Sequence, residues 1–154
     1  MSTENSLYLE ELEVGQVFTS ASAQLDEGQI KEFAHSFDPQ PFHLDDQAAQ
    51  KTIFKGLAAS GWHTAAITMR LLVEGGAPIA GGLIGAGVEV TWPAPTRPGD
   101  TLKVVTEVVA VTPSRSRPDR GIVTIRSDTL NQHDAIVQSM TSKLVVMRRA
   151  SPAT

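Results

Sequence analysis

The chain has 154 residues, 41% of them hydrophobic and 19% charged, with a net charge of −4 and no cysteine. That composition suits a folded globular protein of about one domain's length, and it excludes disulfides, thiolate metal sites and a cysteine nucleophile. An acidic balance with no basic block argues against a nucleic-acid partner.

The opening stretch, MSTENSLYLEELEVG, carries acids and no apolar core, so it does not read as a signal peptide. No apolar run reaches the ~20 residues a bilayer-spanning helix needs. The expectation is a soluble cytoplasmic protein forming one domain over 1–154, with loose tails at about 1–7 and 149–154. After a lead-in at 8–13 and a turn at Gly15, residues 16–24 alternate around Val17 and Phe18 as a strand would. Asp26, with Gln29 three residues on, forms a capping-box pattern. Ile30, Phe33, Ala34 and Phe37 follow at helical spacing, and the helix must stop before Pro39.

Residues 38–43 read DPQPFH, an acid and a base separated by two prolines. Each proline fixes its own φ and biases the preceding residue towards an extended conformation, which predicts a stiff, non-helical strap. Residues 44–51 suit a short helical turn capped by Asp45 or Asp46, and 54–59 a connector. From the N-cap Ser60, apolar positions Trp62, Ala65, Ala66, Met69, Leu72 and Val73 recur at three and four residues. This predicts a long helix, apolar nearly all round and therefore buried, ending at the Gly75-Gly76-Ala77-Pro78 signal. Strands are expected at 83–92, 102–111, 122–130 and 136–147, with a turn-rich connector at 93–100 and a polar loop at 112–121. Helices grouped on one side of a largely antiparallel sheet make an α+β architecture.

Asp38 and His43 are the sharpest chemical pair. A carboxylate and an imidazole beside one water can share general acid and base roles. The plainer alternative is a turn-capping aspartate and a structural histidine. His43, Asp45 and Asp46 make a poor metal set, since adjacent aspartates converge badly on one ion; no metal is expected. Ser60 followed by Gly61 opens a helix where backbone N–H groups favour negative charge, so Gly61 is a candidate oxyanion hole or simply a packing glycine. His63, in the first turn, is as compatible with a solvent-facing position. Arg115, Arg117 and Arg120 suit a solvated loop better than a phosphate grip.

The segments SFDPQPFHLDD and GLAASGWHTAAITMRLL, with VTWPAPTRPGDTLKV downstream, resemble the MaoC-like dehydratase group of the hotdog superfamily, which includes (R)-specific enoyl-CoA hydratases. The likeness runs over about residues 8–148. It implies a hotdog fold, with a curved antiparallel sheet wrapped around a long central helix, paired into a homodimer or a dimer-based oligomer. It implies a catalytic dyad of Asp38 and His43, with Gly61 as the oxyanion-hole glycine. The implied reaction is stereospecific hydration of a 2-enoyl thioester, with coenzyme A entering only as part of the substrate and no cofactor. Gln40 stands where the family's signature carries asparagine, and Trp62 and His63 stand where an apolar pair is usual. With Phe42 and Ser60, these are the expected substrate-binding residues. A hotdog thioesterase and a non-catalytic acyl-thioester binding protein are the alternatives.

Overall fold

The computed structural model describes residues 6–150. Six strands form one antiparallel sheet: β1 (Val17–Thr19), β2 (Ala23–Gln24), β3 (Ile84–Thr91), β4 (Thr101–Pro113), β5 (Arg120–Leu130) and β6 (Ile136–Met147), in the order β1-β4-β5-β6-β3, with β2 pairing on β4. The expected strand over 16–24 is therefore broken in two. Ser20 sits at the break, where its N–H donates to the Val104 carbonyl and its hydroxyl accepts from the Val104 N–H. β4 and β5 are longer than expected, so part of the polar 112–121 segment continues the ladder from Thr112 paired with Ile122 to Pro113 paired with Gly121. Register shifts at Gly85/Gly87, Val108/Ala110 and Thr129/Leu130 put bulges into three strand pairs. Bulges increase local twist and bend the strand, which is how such a sheet curves.

Four helices pack before and onto this sheet: α1 (Glu27–Phe37), α2 (Pro41–Leu44), α3 (Asp46–Gln50) and α4 (Gly61–Leu71), the last running on as a π-turn over Leu72–Gly76. The capping box at α1 is present, Asp26 accepting from Gln29 N–H at 2.8 Å and Gln29 answering to the Asp26 N–H at 2.9 Å. The strap is not wholly non-helical. Pro41 occupies the first position of a one-turn helix, where a missing N–H costs nothing, so His43 rides on a helical turn. Asp45 caps α3 by accepting from Gln47 N–H, and Asp46 accepts from Leu57 N–H.

Helix α4 departs most from expectation. Its buried side is His63, Thr64, Thr68 and Leu71, continued by Leu72, whereas Trp62, Met69 and Val73 are exposed. Apart from the buried Leu72, most of the apolar stripe faces away from the sheet of its own chain. What faces the sheet is largely hydroxyl, and the sheet answers in kind. Thr106 and Ser127 pair at 2.9 Å, and Thr129 meets Thr68 at 2.6 Å, all of them buried. Apolar packing is concentrated on either side, in Leu71, Leu72, Val104 and Met140 near the helix end, and in Leu9, Val108, Val123, Ile125, Leu144 and Val146 further along the sheet. Two residues within the expected loose tails are tied to the fold, the rest of those ranges lying largely outside the described residues. Leu7 bridges to Ile79, while Arg149 donates to Glu11 and lies 4.5 Å over the Tyr8 ring.

Candidate active site

Asp38 closes α1, its N–H donating to the Ala34 carbonyl at 2.8 Å. Its carboxylate is held by two donors: Ser60 Oγ at 2.7 Å on Oδ2 and Gln40 Nε2 at 2.6 Å on Oδ1. Gln40, despite its extra methylene, thus directs its amide onto the acid. His43 Nε2 lies 3.3 Å from Asp38 Oδ2, with the two side chains 6% and 16% exposed. The strap and the chain ahead of α4 are locked together by Ala58 N–H donating to the Phe42 carbonyl, and by His43 Nδ1 against the Ala58 carbonyl at 2.7 Å.

That last contact decides the tautomer. A carbonyl oxygen only accepts, so Nδ1 carries the hydrogen, and in the neutral ring Nε2 presents its lone pair to the Asp38 carboxylate. Burial pushes the Asp38 carboxyl up. The hydrogen bonds from Ser60 and Gln40, joined by the attraction of the His43 ring in its protonated form, outweigh it and hold Asp38 below the ordinary carboxylate range. Two acceptors face each other here, which favours a donor seated against both. A water molecule meets that need with one hydrogen for each.

Ser60 links this pair to helix α4. Its hydroxyl accepts from Trp62 N–H at 3.3 Å while donating to Asp38, so one side chain both caps the helix and orients the acid. The Gly61 N–H, at the first helical position, meets no acceptor among the described residues and stands at the positive end of the helix dipole. Gly61 has no room for a side chain: an added Cβ would lie 2.6–2.9 Å from three atoms of the Trp92 ring. Trp92 is fixed in turn by its Nε1–H donating to Gln138 Oε1 at 3.0 Å and by an edge-on contact with Trp62 at 5.3 Å.

Asp38, Gln40, Phe42, His43, Gly61 and Trp62 border one cleft of about 460 Å³. Its volume falls in the range of small-molecule sites. Ser60, fully buried, supports it from behind through Asp38. His63, expected among the substrate-binding residues, does not border this cleft. It is buried, stacks flat on Phe33 at 4.5 Å and borders a separate cavity between α1 and α4. Burial lowers its pKa and its Nδ1 has no hydrogen-bond partner. Helical geometry explains the split, because Trp62 and His63 are neighbours in sequence and so point to different sides of α4.

Sequence reasoning passed over the far wall. Trp92, Pro93, Pro95 and Thr96 border the cleft, although 93–100 read only as a turn. Arg97 holds that segment in place by donating to the carbonyls of Gly56, Leu57 and Phe54. A clue was present in the strands: Thr106, Ser127, Thr129 and Gln138 sit at buried positions where the strand pattern calls for apolar side chains. Arg115 and Arg117 lie on the exposed β4–β5 connection, among the residues bordering neither cavity.

The profile of the MaoC like domain matches residues 11–130, which contain every residue of the pair, its supports and the helix start. The chain belongs to the MaoC-like domain family. A crystal structure of the MaoC-like dehydratase from Rhodospirillum rubrum is 62% identical and superposes with a TM-score of 0.93, covering 95% of this chain and all of that one. The R-hydratase PhaJ1 from Pseudomonas aeruginosa is 26% identical with a TM-score of 0.73, over 97% of this chain and 93% of that one. Among curated proteins, the uncharacterized protein YdeM of Bacillus subtilis (strain 168) is 38% identical over 84% of this chain and 91% of its own. The MaoC-like relatives thus include dehydratases and hydratases, and their fold is the hotdog fold expected from the sequence.

Proposed function

We propose that this MaoC-like protein is a hydro-lyase that adds water reversibly and stereospecifically across the C2=C3 bond of a 2-enoyl thioester, giving the 3-hydroxyacyl thioester. The observation that carries this reading is the pairing of Asp38 and His43 at 3.3 Å beside a helix start whose first N–H meets no acceptor among the described residues. A water donating one hydrogen to each side chain directs its oxygen lone pair towards C3. As the C3–O bond forms, His43 Nε2 takes a proton and the π pair of C2=C3 moves onto the thioester as an enolate. In this reading the Gly61 N–H donates to the enolate oxygen, an oxyanion contact typically accounting for ~10²–10³ in rate. The imidazolium, stabilised by ionised Asp38, returns a proton to C2. Fixing both groups on hydrogen-bonded turns supplies the orientation such a reaction needs.

A panel of 2-enoyl-CoAs of increasing chain length tests this, with loss of the conjugated enoyl absorbance and release of free thiol followed together. Loss of absorbance without thiol is expected. Thiol release would establish a thioesterase instead, and binding without either would establish an acyl-thioester binding protein.

The Ser60 bridge yields a pH prediction. Activity requires ionised Asp38, and Ser60 is one of the donors that keep its pKa low. Ser60→Ala removes that donor, so the acid limb of kcat/KM is expected to move to higher pH. The same change removes the α4 cap, lowering stability by about 1 kcal/mol. An unmoved acid limb would dissociate Ser60 from the acid's ionisation.

The uncovered side of the molecule supports a homodimer. Strand β3 ends the sheet order, with Ile84 and Val88 exposed on it, and the Trp62, Met69 and Val73 side of α4 is exposed too. An unpaired apolar edge strand is a template for pairing with another chain. Pairing of β3 with its symmetry mate would join two sheets and cover the helix stripe. Light scattering should give twice the 16.5 kDa chain mass, and Val88→Arg should shift it towards the monomer.

A further inference from the structure

One wall of the cleft carries hydroxyls where a plain acyl chain would be met by methyl groups. Thr64 and Thr96 both border the cleft and are 2% and 3% exposed. Thr64 Oγ1 donates to Thr96 Oγ1 at 3.1 Å. A hydroxyl has one hydrogen to give, so that of Thr64 is spent, whereas Thr96 Oγ1 has no acceptor of its own among the described residues. The Thr96 carbonyl accepts from Ala59 N–H at 2.9 Å, which fixes this residue beside the chain leading into Gly61. The neighbouring polar groups do not take up the free donor. Thr68 donates to the Thr64 carbonyl, accepts from Gln138 Nε2 at 3.1 Å and meets Thr129, while the Gln138 oxygen is occupied by Trp92. A buried donor without a partner costs free energy that a substrate oxygen would recover.

Charge narrows the choice of oxygen. Among the described residues the titratable groups bordering the cleft are Asp38 and His43, with no lysine or arginine; the Arg97 guanidinium is turned to backbone carbonyls. A second carboxylate on the substrate would enter beside Asp38 with no cation to meet it. Apart from Gln40, whose amide donates to Asp38, the remaining lining is apolar, and Trp92, pinned by Gln138, bounds a cleft that must also admit the end of the thioester's carrier arm.

We infer that Thr96 is a specificity-determining residue whose hydroxyl donates to a neutral oxygen on the acyl group. The preferred substrates are then short 2-enoyl thioesters bearing a hydroxyl, ether or keto oxygen beyond C3, ahead of plain alkyl chains and of dicarboxylic acyl groups. This rests on the hydratase reading and names the substrate class for the same site.

The test compares kcat/KM for 4-hydroxycrotonyl-CoA, crotonyl-CoA and fumaryl-CoA, in the wild type, Thr96→Val and Thr96→Ser. The wild type should favour the hydroxylated substrate over crotonyl-CoA by about tenfold, the worth of one neutral hydrogen bond, with fumaryl-CoA slowest. Thr96→Val should bring the hydroxyl-to-alkyl ratio close to one, and Thr96→Ser should restore it. A wild-type ratio at or below one overturns the inference without recourse to any variant, as does a ratio untouched by Thr96→Val. In either case the hydratase reading stands so long as crotonyl-CoA is hydrated. Failure of the wild type to hydrate all three substrates removes that reading and this inference with it.

Discussion

His43→Ala is expected to lower kcat by about 10²–10⁴-fold, the usual contribution of a positioned general acid–base group. Asp38→Asn should do the same by a different route. Its amide keeps the carboxylate's outline but replaces the charge beside the imidazolium with a dipole, and its NH2 group gives up one of the two hydrogen bonds that Ser60 and Gln40 donate to the acid. Both changes should leave the fold largely intact, since each side chain is held by hydrogen bonds at the cleft rim and neither belongs to the apolar core clusters. The double variant should be little worse than either single one, because groups that act as a unit are lost as a unit. Steady-state kinetics on one enoyl-CoA with the three variants checks this. Independent, multiplying losses would mean that the two residues act in separate steps.

Gly61→Ala is the second large effect, and here two physical terms oppose each other. Helix propensity alone favours alanine over glycine by about 1 kcal/mol. The backbone at Gly61 does not require glycine either, as it is absent from the positive-φ positions. Against this, the new Cβ would sit 2.6–2.9 Å from Trp92 ring atoms, and that ring is tied to Gln138 and braced by Trp62. Overpacking of this kind costs ~1–3 kcal/mol, so the clash outweighs the propensity. The relief is a displaced helix start or a Trp92 ring swung outwards. Either misplaces the Gly61 N–H relative to the substrate, and a loss of roughly 10²-fold in kcat/KM is expected. Melting temperature should fall, and Trp fluorescence should report the altered indole. A rise in melting temperature with full activity would show that Trp92 is free to move and that this N–H is not used.

The acid, the base and the helix N-terminus were legible in the sequence because each is local. Two prolines, an N-cap serine and a glycine act within a few residues of where they stand. The strands were legible from alternation, and the fold from the resemblance. Three things were not legible, and each depends on distant partners. Pro41 begins a turn of helix instead of preventing one, because a first-turn proline loses no hydrogen bond. Helix α4 read as apolar nearly all round and buried, yet Thr64 turns to Thr96 in the β3–β4 connection and Thr68 to Thr129 and Gln138 of the sheet, while Trp62, Met69 and Val73 stay exposed. Periodicity locates a stripe but does not say what covers it, which in the proposed homodimer is a second copy of the chain. The cleft's far wall came from the 93–96 segment, which reads locally as a turn and gains its place through the reach of Arg97 to the carbonyls of 54–57.

In the proposed reaction water adds across the enoyl double bond while the thioester stays whole. Turnover of an enoyl-CoA in doubly labelled water, followed by mass spectrometry of the product, tests it most directly. The expected product is a 3-hydroxyacyl-CoA of single configuration, with one ¹⁸O at C3 and one deuterium at C2. Label appearing in a free carboxylic acid alongside free coenzyme A would contradict it.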